Sequence, residues 1–436
     1  MKVLSKVFYL NKGYVTDLFK KKIVSNFFYL SLIQVANAVL PFLIIPHLVQ
    51  SVGVDKIGVI YIAQAIMSYL TILTDYGFNL TATKFISVNR HSKNKLQFIY
   101  NAVISTKVLL VVIAFLVLLL LIFLVPSLKQ ERLLFLLSFP IVIGNTFFPV
   151  WFFQGIEEMK YTSLMNLISK IIFTISIFFL INSKDDYIKV NFLSGAGNII
   201  SCLMAFYIII KKYEIKNRFS LRYIKYQLTE GWHIFISNLA VNVYMYSNIL
   251  ILGVFADKTT LGYFGIADKC TQGIRQILMV FYQAIYPKAC HIAQTSHLLL
   301  IQFYKKVFLK FLLLIALICL TIFAFAPFVA YLLTKSYHPE LIIMLRIMCF
   351  IPLIVALNIP FSQSVIIYQI KKWYSIILVS GSVINVICNI ILTKKFSVFG
   401  TMGAIYITEI FVTASLCLLL QYFNKSKYSL KRIFSL

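Results

Sequence analysis

The feature that most constrains this chain is a series of long apolar segments separated by short polar connections. A helix of about 20 mainly apolar residues crosses the hydrocarbon core of a bilayer, and helices satisfy their own backbone hydrogen bonds there. The sequence is 60% hydrophobic, against about 45–50% in soluble domains. It therefore predicts an all-α integral membrane protein. The twelve predicted transmembrane segments are residues 24–49, 57–80, 99–125, 133–153, 162–182, 188–210, 230–253, 261–286, 305–333, 341–368, 374–393 and 401–423.

The basic residues of the connections predict the orientation of the chain. Counted over alternate connections, 26 of the 41 Lys and Arg residues fall on the side of the termini and nine on the other side. Cytoplasmic connections carry this excess in membrane proteins, so both termini are expected in the cytoplasm. The same rule explains most of the net charge of +27 without nucleic acid as a partner. Attraction of an anionic substrate is the alternative explanation.

The two halves of the chain share a pattern. The turn Asp55-Lys56 and the following Gly58 recur 202–204 residues later as Asp257-Lys258 and Gly262. Six helices in each half would relate the halves by an axis along the membrane normal, with a substrate path between them. Chance similarity between two apolar hairpins is the alternative. The predicted organisation is a basic juxtamembrane segment that lies on anionic membrane lipids (1–22), a six-helix bundle (23–210), a cytoplasmic linker (211–229), a second six-helix bundle (230–423) and a basic tail (424–436).

Amides and prolines interrupt the first two segments. An amide in hydrocarbon costs free energy unless a neighbouring helix or water satisfies it. These segments are therefore expected to face a protein interior or an aqueous cavity. The side chains concerned are Gln34, Asn37, Pro41, Pro46, Gln64 and Asn79.

The eighth segment carries a polar face. Asp268, Gln272, Arg275, Gln276 and Gln283 are spaced mainly by three, four and seven residues, which places them on one side of a helix. A face that is polar over several turns suits a water-filled cavity. An ion pair between helices is the alternative role for its charged members.

Charged groups inside apolar segments are candidates for function, because they are expensive to bury. The cations would give a cavity of positive potential, which suits a phosphate-bearing or acidic-sugar substrate; snorkelling to an interface is the alternative for several of them. The candidate substrate-binding cations are Arg275, Lys107, Lys170, Arg346 and Lys269. The candidate sites for a coupling H⁺ or Na⁺ are Glu409, Asp268 and Asp75, of which Asp75 has a plainer role in pairing with Lys84 or capping a helix.

No motif for catalysis is present in the sequence. The chain lacks a nucleotide-binding loop, zinc-ligand spacing, paired catalytic carboxylates and a nucleophile elbow. The seven cysteines form no C-x-x-C pair, so neither disulfides nor zinc is expected. Asn385 and Asn389, four residues apart in the eleventh segment, are expected to form hydrogen bonds between helices. No metal and no cofactor is predicted.

Four blocks of the sequence resemble a known family. NFFYLSLIQVANAVLPFLIIP, TDYGFNLTATKFIS, FPVWFFQGIEEMKYTS and NILILGVFADKTTLGYFGIADK are similar to the O-antigen and polysaccharide repeat-unit flippases (Wzx type) of the multidrug/oligosaccharidyl-lipid/polysaccharide (MOP) exporter superfamily. The likeness spans nearly the whole chain. The motif positions, most of them architectural, are Gln34, Asn37, Pro41, Pro46, Asp75, Gly77, Asn79, Trp151, Gln154 and Gly155.

This resemblance implies a MATE-like, V-shaped pair of six-helix bundles in the bacterial inner membrane. It implies alternating access that moves an undecaprenyl-pyrophosphate-linked oligosaccharide to the periplasmic leaflet, coupled to an ion and without covalent catalysis. A polysaccharide polymerase and a chain-length regulator are the candidate protein partners. The alternatives are a cation or drug antiporter of the same superfamily, which the basic interior disfavours, and a membrane glycosyltransferase or polymerase, which the short outer connections disfavour.

Overall fold

The computed structural model describes residues 31–215 and 224–423. Within them the chain is helical and has no β-strand, so the predicted all-α class is confirmed. The basic terminal segments and part of the predicted linker lie outside the described residues. The helices are α1 (Ser31–Val52), α2 (Val54–Asp75), α3 (Phe78–Val88), α4 (Lys93–Leu124), α5 (Pro126–Gln130), α6 (Arg132–Ser138), α7 (Pro140–Phe147), α8 (Val150–Gly155), α9 (Met159–Leu180), α10 (Tyr187–Tyr213), α11 (Ile224–Phe255), α12 (Lys258–Thr295), α13 (His297–Ala324), α14 (Ala326–Thr334), α15 (Pro339–Met348), α16 (Ile351–Ile367) and α17 (Lys371–Phe423).

Ten helical stretches among the described residues are long and apolar enough to cross a membrane. They coincide with ten of the twelve predicted segments. The seventh and eighth segments fall on α11 and α12, which have 32 and 38 residues. Both are long enough to span, but α12 is interrupted by charged and amide side chains. Within α11, the stretch Asn242–Phe255 is apolar. The chain is a multi-pass membrane protein, and twelve crossings stay a prediction.

Residues with a left-handed backbone produce the corner between α2 and α3. Tyr76 and Gly77 have φ values of 47° and 82°, so the predicted second segment does not run straight through 57–80. A glycine adopts this backbone without steric cost. The Asp-Tyr-Gly-Phe-Asn block is thus the site of a turn. A comparable break inside α17 lies at Ser397, with φ 51°.

α2 and α12 cross in backbone contact near their first turns. A Cβ atom on Gly58 would lie 2.3 Å from the carbonyl oxygen of Lys258, and one on Gly262 would lie 2.1 Å from that of Val54. Each glycine therefore faces the backbone of the opposite helix, at the residue four positions before the other glycine. Small residues permit such approach between membrane helices. Gly58 and Gly262, which occupy equivalent positions in the sequence repeat, are thus in contact with each other's helix. This contact lies at the end of the molecule that holds the α1–α2 and α11–α12 connections. We call this end A.

α11 packs against both halves of the chain. The Tyr69 hydroxyl of α2 donates a hydrogen bond to the Val243 carbonyl over 3.2 Å. At the opposite end of α2, termed end B, the rings of Tyr76 and Phe235 stack with centroids 4.6 Å apart. Gly231 permits this approach, because a Cβ there would lie 2.9 Å from the Tyr76 ring. α2 is therefore held by α12 at end A and by α11 at end B.

The predicted hydrogen bonds of Asn385 and Asn389 are confirmed. Asn389 Nδ2 donates to Asn248 Oδ1 over 2.8 Å, and Ser247 Oγ donates to Asn385 Oδ1 over 3.2 Å. All four side chains are buried. These bonds join α17 to α11 and satisfy the buried amides, as hydrogen bonds between membrane helices commonly do.

The glycine crossing can be tested by adding single methyl groups. Gly262→Ala should lower the stability of the protein by about 1–3 kcal/mol, because the methyl group meets a backbone carbonyl that cannot rotate away. Gly403→Ala is the control, since the nearest heavy atom to a Cβ there is 3.9 Å away. The measurement is thermal unfolding of purified protein, followed by the reactivity of its buried cysteines. Equal melting temperatures for the two variants would contradict the tight crossing.

Candidate functional site: a polar cavity between α2, α11 and α12

A cavity of about 180 Å³ lies beneath the glycine crossing. α2 supplies Tyr61, Gln64 and Ser68, which are three, four and seven residues apart and so share one helical face. α12 supplies Asp268 and Gln272 at a spacing of four, and α11 closes the third side. The side chains that give this cavity its polar lining are Tyr61, Gln64, Ser68, Tyr246, Asn248, Asp268, Lys269 and Gln272.

Four of the predicted site residues meet at this polar cavity: Gln64, Asp268, Lys269 and Gln272. Gln272 Nε2 donates a hydrogen bond to Asp268 Oδ2 over 2.5 Å. Gln64 Nε2 donates to Asn191 Oδ1 over 3.0 Å. Asn191, which the sequence interpretation did not single out, is fully buried on α10. The sequence did contain a signal for Asn191, because this residue is an amide inside a predicted apolar segment.

The Lys269 ammonium group is the cation of the polar cavity. It lies 5.5 Å from the centre of the Tyr61 ring. Lys170 on α9 is near enough for the two positive charges to interact. Within residues 31–215 and 224–423, neither ammonium group lies within 4.0 Å of a carboxylate oxygen. Asp268 lies in the same lining and interacts with the charge of Lys269, so Lys269 faces both this acid and any anionic ligand in the cavity.

Arg275 lies on the same helix as Lys269 but is paired. Its Nη2 atom donates to Glu409 Oε1 of α17 over 2.6 Å, and the Glu409 side chain is 6% exposed. The Tyr244 hydroxyl of α11 donates to the same carboxylate oxygen. The geometry is that of an ion pair between helices, the alternative that the sequence left open for this arginine.

Lys107 lies inside the amino-terminal half, away from the polar cavity. Its side chain is 1% exposed, and its Nζ atom donates to the Thr146 carbonyl over 2.8 Å. Asp75 Oδ1 is 3.6 Å from the same ammonium group. The partner of Asp75 is thus Lys107 rather than Lys84. Each charge offsets the burial cost of the other.

The other predicted site residues do not line the polar cavity. Arg346 Nε lies 3.4 Å from the Phe323 carbonyl oxygen, and the residue is half-buried on α15. Asn79 is exposed on the first turn of α3, Gln34 and Asn37 are half-buried on α1, and Gln276 is half-buried on α12.

A cluster of charges at end A joins the two repeated Asp-Lys turns. Glu131 Oε1 lies 3.1 Å from Lys258 Nζ and 3.8 Å from Lys56 Nζ. The Tyr187 hydroxyl donates to Glu131 Oε2 over 2.6 Å. One carboxylate thus links both halves where α2 and α12 cross. Sequence reasoning missed Glu131, because it lies in a connection and no local pattern points to its partners.

The pKa of Glu131 reflects this cluster. Burial raises the pKa of the carboxyl group, but hydrogen bonds from Tyr187 and Lys258, together with the nearby Lys56 charge, outweigh burial and hold the pKa below its usual range. The carboxylate form is therefore favoured at neutral pH, which maintains the link between the halves.

Comparison with known sequences gives a family match and two curated relatives. A model of the family described as "Polysaccharide biosynthesis protein" matches residues 23–292. A protein of Escherichia coli (strain K12) named "Putative O-antigen transporter" is 29% identical over 400 residues, covering 89% of this chain and 94% of that protein. A protein of Shigella dysenteriae with the same name is 26% identical over 395 residues, covering 89% and 97%.

Solved structures show the same fold. An inward-facing multidrug resistance MATE family transporter of the MOP superfamily aligns with a TM-score of 0.67 and 16% identity, covering 90% of this chain and 96% of that chain. The lipid II flippase MurJ, in an inward closed conformation, aligns with a TM-score of 0.66 and 14% identity, covering 95% and 89%. The predicted likeness to the MATE and MOP architecture is confirmed at the level of the fold.

The ion pair of Arg275 and Glu409 can be separated from a role in ligand binding by a double-mutant cycle. Arg275→Met and Glu409→Leu should each lower stability by about 3 kcal/mol, because each leaves one charge unpaired in a buried place. The double variant should lose far less than the sum. Arg346→Met, at a half-buried arginine without a carboxylate partner among the described residues, is the control. Thermal unfolding measures the wild type and the four variants, and strictly additive losses would show that the two side chains do not interact.

Glu131→Gln should weaken the closure of end A. The loss of a charge-assisted contact of about 1.5 kcal/mol corresponds to a roughly tenfold higher open population. The probe is Ser68→Cys in the polar cavity, labelled by a membrane-impermeant maleimide added from the side of end A. Glu340→Gln, an exposed carboxylate at the same end, is the control.

The pH dependence of this labelling follows from the lowered pKa of Glu131. Above pH 4.5, the usual pKa of a glutamate, the carboxylate stabilises closure fully. This stabilisation is lost as the pH falls through the lower pKa that Glu131 has in the closed state. Between pH 7 and 5 Glu131 should therefore leave the labelling rate unchanged. A rise over this range that disappears in Glu131→Gln would contradict the assignment.

Proposed function

The chain belongs to the polysaccharide biosynthesis protein family, and we propose that it is a flippase for an undecaprenyl-pyrophosphate-linked oligosaccharide, an O-antigen or related repeat unit. Its curated relatives are named transporters, and its structural neighbours are transporters or a flippase, not enzymes. This disfavours the glycosyltransferase alternative. The proposed movement runs from the cytoplasmic to the periplasmic leaflet of the bacterial inner membrane by alternating access.

The observation that carries this proposal is the polar cavity together with two lysines that have no carboxylate oxygen within 4.0 Å in the part of the chain that the structure describes. Lys269 lines it and Lys170 lies nearby, whereas the buried cations Arg275 and Lys107 have carboxylate partners. A diphosphate loses much of its hydration when it leaves water, at a cost that only nearby positive charges can offset. Ammonium groups supply such charges. The same lysines disfavour a cation or drug as the substrate, because they repel it.

The distribution of Lys and Arg supports an orientation for the transport cycle. It assigns end A to the periplasmic side and end B to the cytoplasmic side. The glycine crossing and the Glu131 cluster would then close the periplasmic side, and the substrate would enter from the cytoplasmic side. The two halves, 23–210 and 230–423, would be the six-helix bundles that rock against each other.

Coupling to H⁺ or Na⁺ is part of the proposal. Asp268 is the best placed of the three candidate acids, because it lines the polar cavity. Glu409 and Asp75 each lie within 4.0 Å of a cationic nitrogen, which lowers their affinity for a second cation, whereas the direct contact of Asp268 is a hydrogen bond from the neutral Gln272. An ion at Asp268 would leave the Lys269 charge less compensated, so ion binding and diphosphate binding would influence each other.

Complementation of a strain that lacks its own flippase tests the function. Wild type should restore surface polysaccharide, whereas Lys269→Met and the Lys170→Met/Lys269→Met double variant should reduce it at least about tenfold, in line with the loss of a charge-assisted contact of about 1.5–3 kcal/mol. Lipid-linked repeat units should accumulate in parallel. Arg346→Met, at matched expression, is the control and should rescue like wild type.

Two outcomes would count against the proposal. Failure of wild type to rescue, with a matched donor pathway and normal expression, would reject the flippase function. Full rescue by the double lysine variant would reject the polar cavity as the place where the diphosphate binds.

A further inference from the structure

A second cavity of about 130 Å³ adjoins the polar cavity. It lies among α1, α2, α9 and α10, with Lys269 of α12 at its edge, and most of its wall is apolar. Tyr61, Gln64 and Lys269 line both cavities, so they form the boundary between them. The wall of this apolar cavity includes Ile44, Ile45, Leu48, Ile57, Ile60 and Val190.

The wall of the apolar cavity belongs to the protein interior. Ile57 and Ile60 are each 2% exposed and Val190 is 1% exposed, so these side chains do not face lipid. They are part of the largest packed cluster of the fold. The apolar cavity is open on one side, so a group inside it can stay joined to a longer chain outside. An apolar cavity of this size binds an apolar group of matching volume.

Positive charge is concentrated at the boundary between the two cavities. Lys269 lies in the lining of both. Lys170 precedes Phe173, a residue of the apolar wall, by one helical turn on α9. An anion held by these two lysines would therefore have a polar compartment on one side and an apolar compartment on the other.

Few ligands match this arrangement. A free sugar or an inorganic phosphate leaves the apolar cavity unfilled, and a plain hydrocarbon leaves the ammonium groups without a partner. The matching ligand has an anionic group that connects a polar head to an apolar chain. An apolar cavity of about 150 Å³ accommodates benzene, so about 130 Å³ suits roughly one five-carbon unit.

We propose that the apolar cavity binds the isoprene unit next to the diphosphate of the carrier lipid. The diphosphate lies at Lys269 and Lys170, the sugars extend into the polar cavity, and the remaining isoprene units stay in the membrane. This inference rests on the proposed function and adds a recognition site for the carrier itself. Recognition of the carrier is then independent of the sugars attached to it.

Binding of two soluble probes to the purified full-length protein tests this site. Geranyl diphosphate carries the apolar unit and inorganic pyrophosphate lacks it. Because an isoprene unit transfers about 100 Å² or more of apolar surface from water, wild type should bind geranyl diphosphate at least about tenfold more tightly. Isothermal titration calorimetry measures both affinities under the same detergent conditions.

Variants separate the two parts of the site. Val190→Phe fills the apolar cavity and should abolish the preference for geranyl diphosphate while leaving the affinity for pyrophosphate unchanged. Ile45→Phe is a second filling variant, in case the first does not fold. Val254→Phe, on a side chain that is 76% exposed, is the matched control and should keep the preference. Lys269→Met should weaken the binding of both probes.

Each outcome decides between the two proposals. Equal affinity of wild type for the two probes, or a preference that survives both filling variants, would overturn the isoprene site without touching the flippase function. If the protein clearly prefers geranyl diphosphate but fails complementation, the isoprene site would be supported and the flippase function rejected. Loss of the preference in Val254→Phe would show a general effect of added bulk and would also overturn the site.

Discussion

The rest of this structure depends on one constraint: a polar group inside the bilayer must find its partner within the protein. Hydrocarbon offers no hydrogen bonds, so an unpaired amide or charge costs several kcal/mol. The partners found are specific. Lys107 binds a carbonyl oxygen and Asp75, Arg275 binds Glu409, and Asn389 binds Asn248. Lys170 and Lys269 differ from these groups, because neither has a carboxylate oxygen within 4.0 Å among residues 31–215 and 224–423.

The sequence predicted the helices well, because the length and apolarity of a membrane helix are local properties. It also predicted that α12 has a polar face, since residues at spacings of three and four must share a side of a helix. The face alone did not reveal which members line a cavity. Asp268 and Lys269 do, whereas Arg275, two turns further along, is bound by a carboxylate 134 residues away. Nothing in the local pattern of α12 contains that information.

Residues outside the apolar segments were the hardest to interpret. Glu131 lies in a short connection and looks like an ordinary surface acid, yet it links Lys56 and Lys258, which lie 202 positions apart in the sequence. The internal repeat indicated that these two lysines occupy equivalent positions. It could not indicate that one carboxylate lies between them, because Glu131 lies outside the repeated Asp-Lys and glycine pattern. Convergence of this kind is a property of the tertiary structure.

The glycine crossing has a mechanical consequence. The backbones of α2 and α12 touch at Gly58 and Gly262, so a change in the angle between the two helices would turn about this point. α12 continues for 25 residues from Gly262 to Pro287, a lever of about 37 Å at 1.5 Å per residue. A rotation of α12 by about 10° about the glycine crossing would move its far end by about 6 Å. A small change of angle at end A thus becomes a wide displacement at end B.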